Sequence, residues 1–181
     1  MKTAVDREER FDFGKNWTKY STLIDSTKIT DAEQSLVTMF QVPDLIDKSF
    51  LDVGCGSGIF SLAAKNLGSE VYSFDIDSNS VSCTRELKRR YHKNDDNWKI
   101  KSGSVLDPEF IREVGQHDFV YCWGVAHHTG DMMQALDNLS QVVRDEGLLF
   151  VAIYNDQGFL SKYWTFVKRC FVNFPISCMK Q

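Results

Sequence analysis

The chain has 181 residues, of which 43% are apolar and 25% are charged, a balance typical of one soluble globular domain. A formal net charge of -4 argues against nucleic acid as the main partner, and no apolar run reaches the length of about 20 residues that a membrane-spanning helix needs. Because the five cysteines are widely spaced and the charged N-terminus carries no secretion signal, we expect reduced thiols and a cytoplasmic location.

Residues 1–45 are predicted to form an N-terminal helical and aromatic extension that caps the rest of the chain. Thr30 and Glu33 have the spacing of a capping box, and Pro43 discourages continuation, so a short helix is predicted near residues 31–41. Aromatic residues without a clear period precede it, at Phe11, Phe13, Trp17 and Tyr20. Residues 46–181 are predicted to form the main domain.

From residue 49 onward, strand-like runs alternate with helical ones. The predicted strands are SFLDVG, EVYSFD, WKIKSG, DFVYCW and GLLFVAIY, and helical patterns separate them. Such alternation is typical of right-handed β-α-β units, which build a doubly wound α/β fold with a mainly parallel sheet and helices on both faces. In this fold a ligand binds beyond the carboxyl ends of the strands, where the strand order reverses.

A glycine-rich loop, LDVGCGSG, follows the first predicted strand. Gly54, Gly56 and Gly58 permit a left-handed backbone and leave room for a ligand to touch it. The spacing differs from the dinucleotide fingerprint G-x-G-x-x-G, because Ile59 stands where the last glycine would be. Asp52 puts a carboxylate beside the loop, which disfavours a diphosphate and favours an ammonium or a hydroxyl. We therefore predict a nucleotide-like, zwitterionic ligand, with a plain tight turn as the alternative.

An acidic residue, Asp75, ends the second predicted strand. It lies about 20 residues after the glycine loop begins, where a carboxylate can accept hydrogen bonds from ribose hydroxyls. Asp77 and Ser78 are better placed to cap the following helix, so we favour the ribose role for Asp75. A metal site at Asp75 and Asp77 is disfavoured, because no third ligand is evident in the sequence.

Two adjacent histidines follow the fourth predicted strand, in the segment WGVAHHTGD. Because neighbouring side chains diverge, only one of them should face a ligand, and we favour His127 over His128. The other is expected to bond the backbone or to cap the helix that begins near Asp131. Metal binding by this segment is disfavoured, because adjacent histidines chelate poorly. His92 and His117 lack this context and are expected on the surface.

Together these segments resemble the class I S-adenosylmethionine-dependent methyltransferases. The segments that carry the resemblance are FLDVGCGSG, VYSFDID, GSVLD, FDFVYCWGVAHH and LSQVVRDEGLLFVAIYN, over about residues 48–155. Within that superfamily the chain is most similar to the branch that includes quinol O-methyltransferases of ubiquinone biosynthesis. The resemblance implies a Rossmann-like sheet of strand order 3-2-1-4-5. It also implies methyl transfer from S-adenosylmethionine to a small-molecule acceptor, most directly at oxygen, with His127 and His128 as candidate bases.

The resemblance also implies which residues bind the cofactor. They are Asp52, Gly54, Cys55, Gly56, Ser57, Gly58, Asp75, Ile76, Ser104, Val105 and Trp123. Asp75 would hold the ribose, and Ile76 would lie against the adenine. Ser104 and Val105 would border the adenine ring, although many relatives have Asp at the position of Ser104. Trp123 would lie near the methionine part.

The chain departs from the family pattern after the fifth strand, where an antiparallel hairpin usually completes the sheet. This chain leaves no room for a hairpin before Gln181, so it is a shortened protein, a fragment, or one that a partner completes. A further predicted helix, GFLSKYWTFVKRCFV, is apolar over most of its circumference and could mediate a homo-oligomer or wall a substrate site. The alternative functions are a non-catalytic S-adenosylmethionine-binding or partner-stabilising protein and a nucleotide-dependent oxidoreductase, which Ile59 disfavours.

Overall fold

A computed structural model describes residues 23–154, so the N-terminal aromatic segment and the predicted C-terminal helix lie outside the described residues. The helices are α1 (Ser26–Phe40), α2 (Ile59–Asn66), α3 (Ser78–Tyr91), α4 (Pro108–Val114) and α5 (Met132–Gln141). The strands are β1 (Ser49–Val53), β2 (Glu70–Asp75), β3 (Trp98–Ser102), β4 (His117–Trp123) and β5 (Val143–Ala152). A short 3-10 turn, Ala126–His128, lies between β4 and α5.

The strands form one five-stranded sheet in the order β3-β2-β1-β4-β5, and every described strand pair is parallel. This arrangement confirms the predicted doubly wound, Rossmann-like fold. Because chain order reverses between β1 and β4, the connections leave the carboxyl ends of these two strands in opposite directions and open a crevice there. The glycine loop and the two histidines follow the carboxyl ends of these strands.

Apolar side chains cover both faces of the sheet. One face packs against α1, α2 and α3, with Phe50, Leu62 and Trp98 among its buried residues. The other face packs against α4 and α5, with Leu51 and Leu139 among its buried residues. The alternation of Phe50 and Leu51 along β1 shows why this strand reads as a continuous apolar run: it is buried on both sides.

Helix α1 begins earlier than the predicted range of 31–41. Asp25 caps the helix, because its side chain accepts a hydrogen bond from the Lys28 N–H at 3.0 Å. The predicted capping box at Thr30 and Glu33 therefore does not mark the start of the helix. The buried stripe of α1 ends in Phe40, whose ring lies 4.8 Å from that of Phe119 on the sheet. Helix α1 thus shares a core with the sheet, and the division of the chain at residue 45 stays a prediction.

Two further expectations concern residues beside the sheet. Asp77 caps α3 as predicted, accepting hydrogen bonds from the N–H groups of Asn79 and Ser80. The expectation that His117 is a surface residue is wrong. It begins β4, is only 9% exposed, and its Nε2 lies 3.3 Å from the Val114 carbonyl oxygen. Burial lowers the pKa of His117, so the ring is neutral near pH 7.

Candidate active site

A cavity of about 930 Å³ lies at the carboxyl ends of β1, β2 and β4, within the size range of small-molecule sites. Most of the predicted site residues line it together: Asp52, Gly54, Cys55, Gly56, Ser57, Asp75, Ile76, Ser104, Val105, Trp123 and His128. Gly58 and His127 are not among the lining residues. The structure therefore brings segments that are far apart in sequence to one crevice.

Gly54 and Gly58 act at different places in the glycine loop. Gly54 has a φ of 71°, and a Cβ added there would lie 2.4 Å from Cγ2 of Val125, on the segment that follows β4. Gly58 has a φ of 81°, and a Cβ there would meet Thr84 of α3 at under 3.0 Å. The first glycine keeps the loop against the opposite wall of the cavity, and the second lets α3 approach the loop.

Asp75 ties the end of β2 to the glycine loop. Its Oδ2 accepts a hydrogen bond from the Gly56 N–H at 3.0 Å, and its Oδ1 accepts one from the Asp77 N–H at 2.9 Å. Burial raises the pKa of this carboxyl, and these backbone bonds oppose the rise. Asp75 lines the cavity in a fixed orientation, with lone pairs left to accept further hydrogen bonds.

Asp52 is a buried carboxyl on the cavity wall, with 3% of its surface exposed. Burial, the largest cause, and the nearby Asp75 together raise its pKa to about 7, although a hydrogen bond from the Ser61 hydroxyl opposes the rise. This carboxyl therefore changes its charge close to neutral pH. An ammonium group in the cavity would stabilise the ionised form.

The end of the cavity near β3 is mainly apolar. Ile76, 51% exposed, lines it together with Val105 and Leu106. The loop that carries Val105 is held from behind, because the buried Asn138 side chain donates to the Val105 carbonyl oxygen at 2.7 Å. Ser104 accepts a hydrogen bond from the Leu106 N–H at 3.2 Å. These contacts leave an apolar slot that suits a flat heteroaromatic ring.

Aromatic rings form the end of the cavity near β4 and β5. The rings of Tyr121, Trp123 and Phe150 are close to parallel, with Trp123 and Phe150 centroids 5.8 Å apart at 8°. The Trp123 Nε1 donates to the Tyr154 hydroxyl at 3.1 Å, which fixes the indole. Phe60 lies against Tyr121 with ring centroids 4.7 Å apart. Four of these aromatic residues line the same cavity as the glycine loop: Phe60, Tyr121, Trp123 and Tyr154.

The Tyr121 hydroxyl was not predicted as part of the site. Tyr121 is 2% exposed and lines the cavity, and its hydroxyl has no hydrogen-bond partner among residues 23–154. Burial raises the pKa of this phenol, and the Asp52 carboxyl adds to the rise, so it stays a hydrogen-bond donor. The sequence held one signal: Tyr121 precedes Trp123 by two positions and so shares its strand face. Its pairing with Asp52 depended on the strand register.

The two histidines occupy different places in the 3-10 turn. His128 lines the cavity, whereas His127 packs beside it and against Tyr154, with ring centroids at 4.0 Å and 5.0 Å. Burial lowers the pKa of His127, and His128 lowers it further. The sequence favours His127 as the residue that faces a ligand, whereas the residue of this pair that lines the cavity is His128. The side chain that caps α5 is that of Asp131.

Among residues 23–154, no group of three or more His, Cys, Asp and Glu side chains could hold a metal ion. None of the helices in this part of the chain combines the length and the hydropathy of a transmembrane segment.

The sequence matches a family model whose description is methyltransferase domain. The match covers residues 51–149, which is more than half of the chain. It runs from β1 into β5 and includes the glycine loop, Asp75 and both histidines.

Individual relatives are similar over part of their length. A ubiquinone biosynthesis O-methyltransferase from Glaesserella parasuis is 26% identical over 111 residues, covering 61% of this chain and 47% of that protein. A ribosomal protein L11 methyltransferase from Legionella pneumophila is 40% identical over 79 residues, covering 42% of this chain and 27% of that protein. The matched region therefore spans less than half of these relatives.

A solved structure shares the fold. The YcgJ protein from Bacillus subtilis superposes with a TM-score of 0.61 at 17% identity, over 77% of this chain and 58% of that chain.

Proposed function

The chain belongs to the methyltransferase domain family, and from this membership we propose that it transfers a methyl group from S-adenosylmethionine to a small-molecule acceptor, at an oxygen atom. The resemblance to class I methyltransferases is confirmed by the family match, which also supports S-adenosylmethionine as the cofactor. The observation that carries the proposal is the cavity in which the glycine loop, Asp52, Asp75 and His128 meet.

The residues of the cavity fit the parts of this cofactor. The apolar slot at Ile76 and Val105 suits the adenine, and the Asp75 carboxylate suits the ribose hydroxyls. Asp52 and Tyr121, whose hydroxyl has no partner within residues 23–154, suit the charged amino-acid end, since one accepts hydrogen bonds and the other donates them. When bound, S-adenosylmethionine would supply a methyl group on a positively charged sulfur, which would leave as the neutral thioether of S-adenosylhomocysteine.

The task left to the protein is to align the acceptor, exclude water and remove a proton. Positioning of this kind can contribute about 7–11 kcal/mol to a reaction. A phenol or alcohol must lose its proton as the new bond forms, and a neutral histidine ring can accept it. We propose His128 as this base, because it lines the cavity, with His127 packed against its ring as support.

Replacing His128 with Gln is expected to lower turnover about 100-fold or more, the usual contribution of a general base. Binding of S-adenosylhomocysteine should change less than about twofold, since the base acts on the acceptor. Calorimetry and a steady-state assay measure the two effects. His92→Gln is the matched control, because His92 lies outside the cavity, where its Nε2 is 2.8 Å from the Asn66 side chain. Wild-type turnover in both His128→Gln and His127→Gln would remove the pair from the mechanism.

Replacing Tyr121 with Phe tests the contribution of its hydroxyl to ligand binding. Affinity for S-adenosylhomocysteine should fall about three- to tenfold, the value of one hydrogen bond. The melting temperature of the ligand-free protein should not fall, because the hydroxyl has no partner among the described residues. Tyr72→Phe is the control, since Tyr72 packs on the other face of the sheet. Unchanged affinity together with a lower melting temperature would make Tyr121 a purely structural residue.

The proposed acceptor is a planar, phenol-like molecule. Trp123 is 42% exposed, and it presents an aromatic face that can stack on a flat ring. The similarity to an O-methyltransferase supports transfer to oxygen, while the similarity to a methyltransferase of a ribosomal protein makes a protein acceptor the competing outcome.

Transfer of labelled methyl groups tests the acceptor class. The chain is incubated with S-adenosylmethionine labelled in its methyl group and with catechols, hydroquinones, amines or ribosomal protein. Label in the phenolic oxygens supports the proposal, and label in ribosomal protein alone overturns the acceptor class. If the cofactor binds and no acceptor is labelled, the chain is a non-catalytic binder. The cytoplasmic location and self-association through the C-terminal helix stay predictions.

A further inference from the structure

A chain of buried side-chain hydrogen bonds leads from β3 to Asp52 along one face of the sheet. The Trp98 Nε1 donates to the Ser73 hydroxyl at 2.9 Å, and the Ser73 hydroxyl lies 2.8 Å from the Ser61 hydroxyl. The Ser61 hydroxyl in turn donates to Oδ2 of Asp52. We call Trp98, Ser73 and Ser61 the serine chain. Each of its members is at most 1% exposed.

The direction of these hydrogen bonds is determined at their two ends. An ionised carboxylate can only accept, so the Ser61 proton points to Asp52, and the Ser61 oxygen accepts the proton of Ser73. An indole N–H can only donate, so the Ser73 oxygen accepts from Trp98. Every hydroxyl in the serine chain therefore donates towards the carboxyl. Bonds aligned in this way polarise one another and strengthen the last bond.

The sheet register explains why the serine chain ends at this carboxyl. Ser73 on β2 and Tyr121 on β4 are the direct neighbours of Asp52 across β1. These three side chains share the sheet face that packs against α2, which carries Ser61. The serine chain therefore approaches Asp52 from within the core, while the cavity lies on its open side.

We propose that the serine chain positions the ionised form of Asp52 to receive an ammonium group of the ligand. While Oδ2 accepts the Ser61 proton, the oxygen of Asp52 that is left open to protonation is Oδ1. In the protonated form that oxygen cannot accept a full set of hydrogen bonds from an ammonium group. This inference rests on the proposed function, which supplies a ligand with an α-amino group.

Among the groups around Asp52, Ser61 is the main one that favours the ionised form of its carboxyl. Asp75, at the end of β2, disfavours ionisation, as does burial. Cys55 in the glycine loop and Tyr121 and Cys122 on β4 also interact with this charge, and burial raises the pKa of each, so they stay neutral. The Ser61 hydroxyl and backbone N–H oppose these effects. The serine chain ends at an indole, which does not titrate, so it orients Asp52 and carries no proton to it.

Replacing Ser61 with Ala should move the titration of Asp52 upward by about one pH unit, because a bond that favours the charged form is lost. Carbon-13 NMR of the Asp52 carboxyl in the ligand-free protein measures this midpoint directly. The affinity for S-adenosylhomocysteine should then fall about fivefold near pH 7 and approach the wild-type value at pH 8.5. Ser73→Ala should give a smaller shift in the same direction, and Ser73→Thr, which keeps a hydroxyl, should restore the wild-type midpoint.

Ser69→Ala is the matched control. Ser69 is also fully buried, but its hydroxyl donates to the Lys48 carbonyl oxygen at 2.7 Å, at the opposite end of β2. An Asp52 midpoint that is unchanged in both Ser61→Ala and Ser73→Ala overturns the proposal, as does an equal shift in Ser69→Ala. If S-adenosylhomocysteine does not bind the wild-type protein, the proposed function fails, and the NMR midpoints still decide whether the serine chain controls Asp52.

Discussion

Replacing Asp52 with Asn is expected to weaken the binding of S-adenosylhomocysteine about 10- to 100-fold at pH 8, while the ligand-free protein becomes more stable. The loss of affinity follows from removal of a charge-assisted hydrogen bond, which is worth about 1.5–3 kcal/mol. The gain in stability follows from removal of a charge that is buried in the folded state. Function and stability therefore change in opposite directions at this position.

The stability effect of Asp52 has a defined pH dependence. The pKa of this carboxyl is raised from its ordinary value of 3.8 to about 7 in the folded protein. A carboxyl with a raised pKa contributes stability that is fully present below pH 4 and is lost as the pH rises through 7. At about 1.4 kcal/mol for each pKa unit, the wild-type protein loses as much as about 4 kcal/mol relative to Asp52→Asn between pH 4 and pH 8.

Chemical denaturation of both proteins across this pH range measures the effect. The stability difference between Asp52→Asn and wild type should grow steadily in favour of the variant as the pH rises. Asp118→Asn is a useful comparison, because the pKa of Asp118 is lowered by hydrogen bonds from Ser49 and by Arg144, and its removal should have the opposite pH dependence. Parallel stability curves for wild type and Asp52→Asn would contradict the assignment of a raised pKa.

Replacing Gly54 with Ala is expected to abolish measurable binding of S-adenosylhomocysteine. The new Cβ would lie 2.4 Å from Cγ2 of Val125, and the φ of 71° is already unfavourable for a residue with a side chain. Overpacking costs about 1–3 kcal/mol and the left-handed backbone about 1–2 kcal/mol. The glycine loop and the segment after β4 must then move apart, and both of them line the cavity.

Two further variants separate the steric effect from the backbone effect. Gly115 has a φ of 76° and a ψ of -166°, a conformation that favours glycine, with no atom within 4 Å of an added Cβ. Gly115→Ala should therefore cost about 1–3 kcal/mol of backbone strain and leave binding intact. Val125→Ala in the Gly54→Ala background should restore part of the affinity, because it removes the atoms that clash. Equal affinities for Gly54→Ala, Gly115→Ala and wild type, measured by calorimetry, would show that the loop does not depend on this close approach.

The sheet and the position of the crevice could be predicted from the sequence, because both depend on local patterns. Alternating apolar runs and helical patterns define the β-α-β units, and glycine spacing marks the loop after β1. The Asp77 cap could also be predicted, since it depends on the three residues that follow it.

Features that depend on packing between distant segments could not be predicted in this way. The serine chain joins Ser61, Ser73 and Trp98 through strand register and the docking of α2, and neither is visible as a spacing in the sequence. Which of His127 and His128 lines the cavity depends on the 3-10 turn at Ala126–His128. Alternation along an extended strand does not describe the side-chain directions in such a turn. The start of α1 was predicted too late, because the spacing of Thr30 and Glu33 also fits a capping box, whereas the residue that caps the helix is Asp25.

Calorimetric titration of the purified chain at pH 8 with S-adenosylmethionine, S-adenosylhomocysteine and NAD distinguishes a methyl-donor site from a dinucleotide site. We expect the two sulfur compounds to bind at a single shared site, Asp52→Asn to weaken both, and NAD not to bind. Binding of NAD without binding of either sulfur compound would contradict the assignment of the cavity to S-adenosylmethionine.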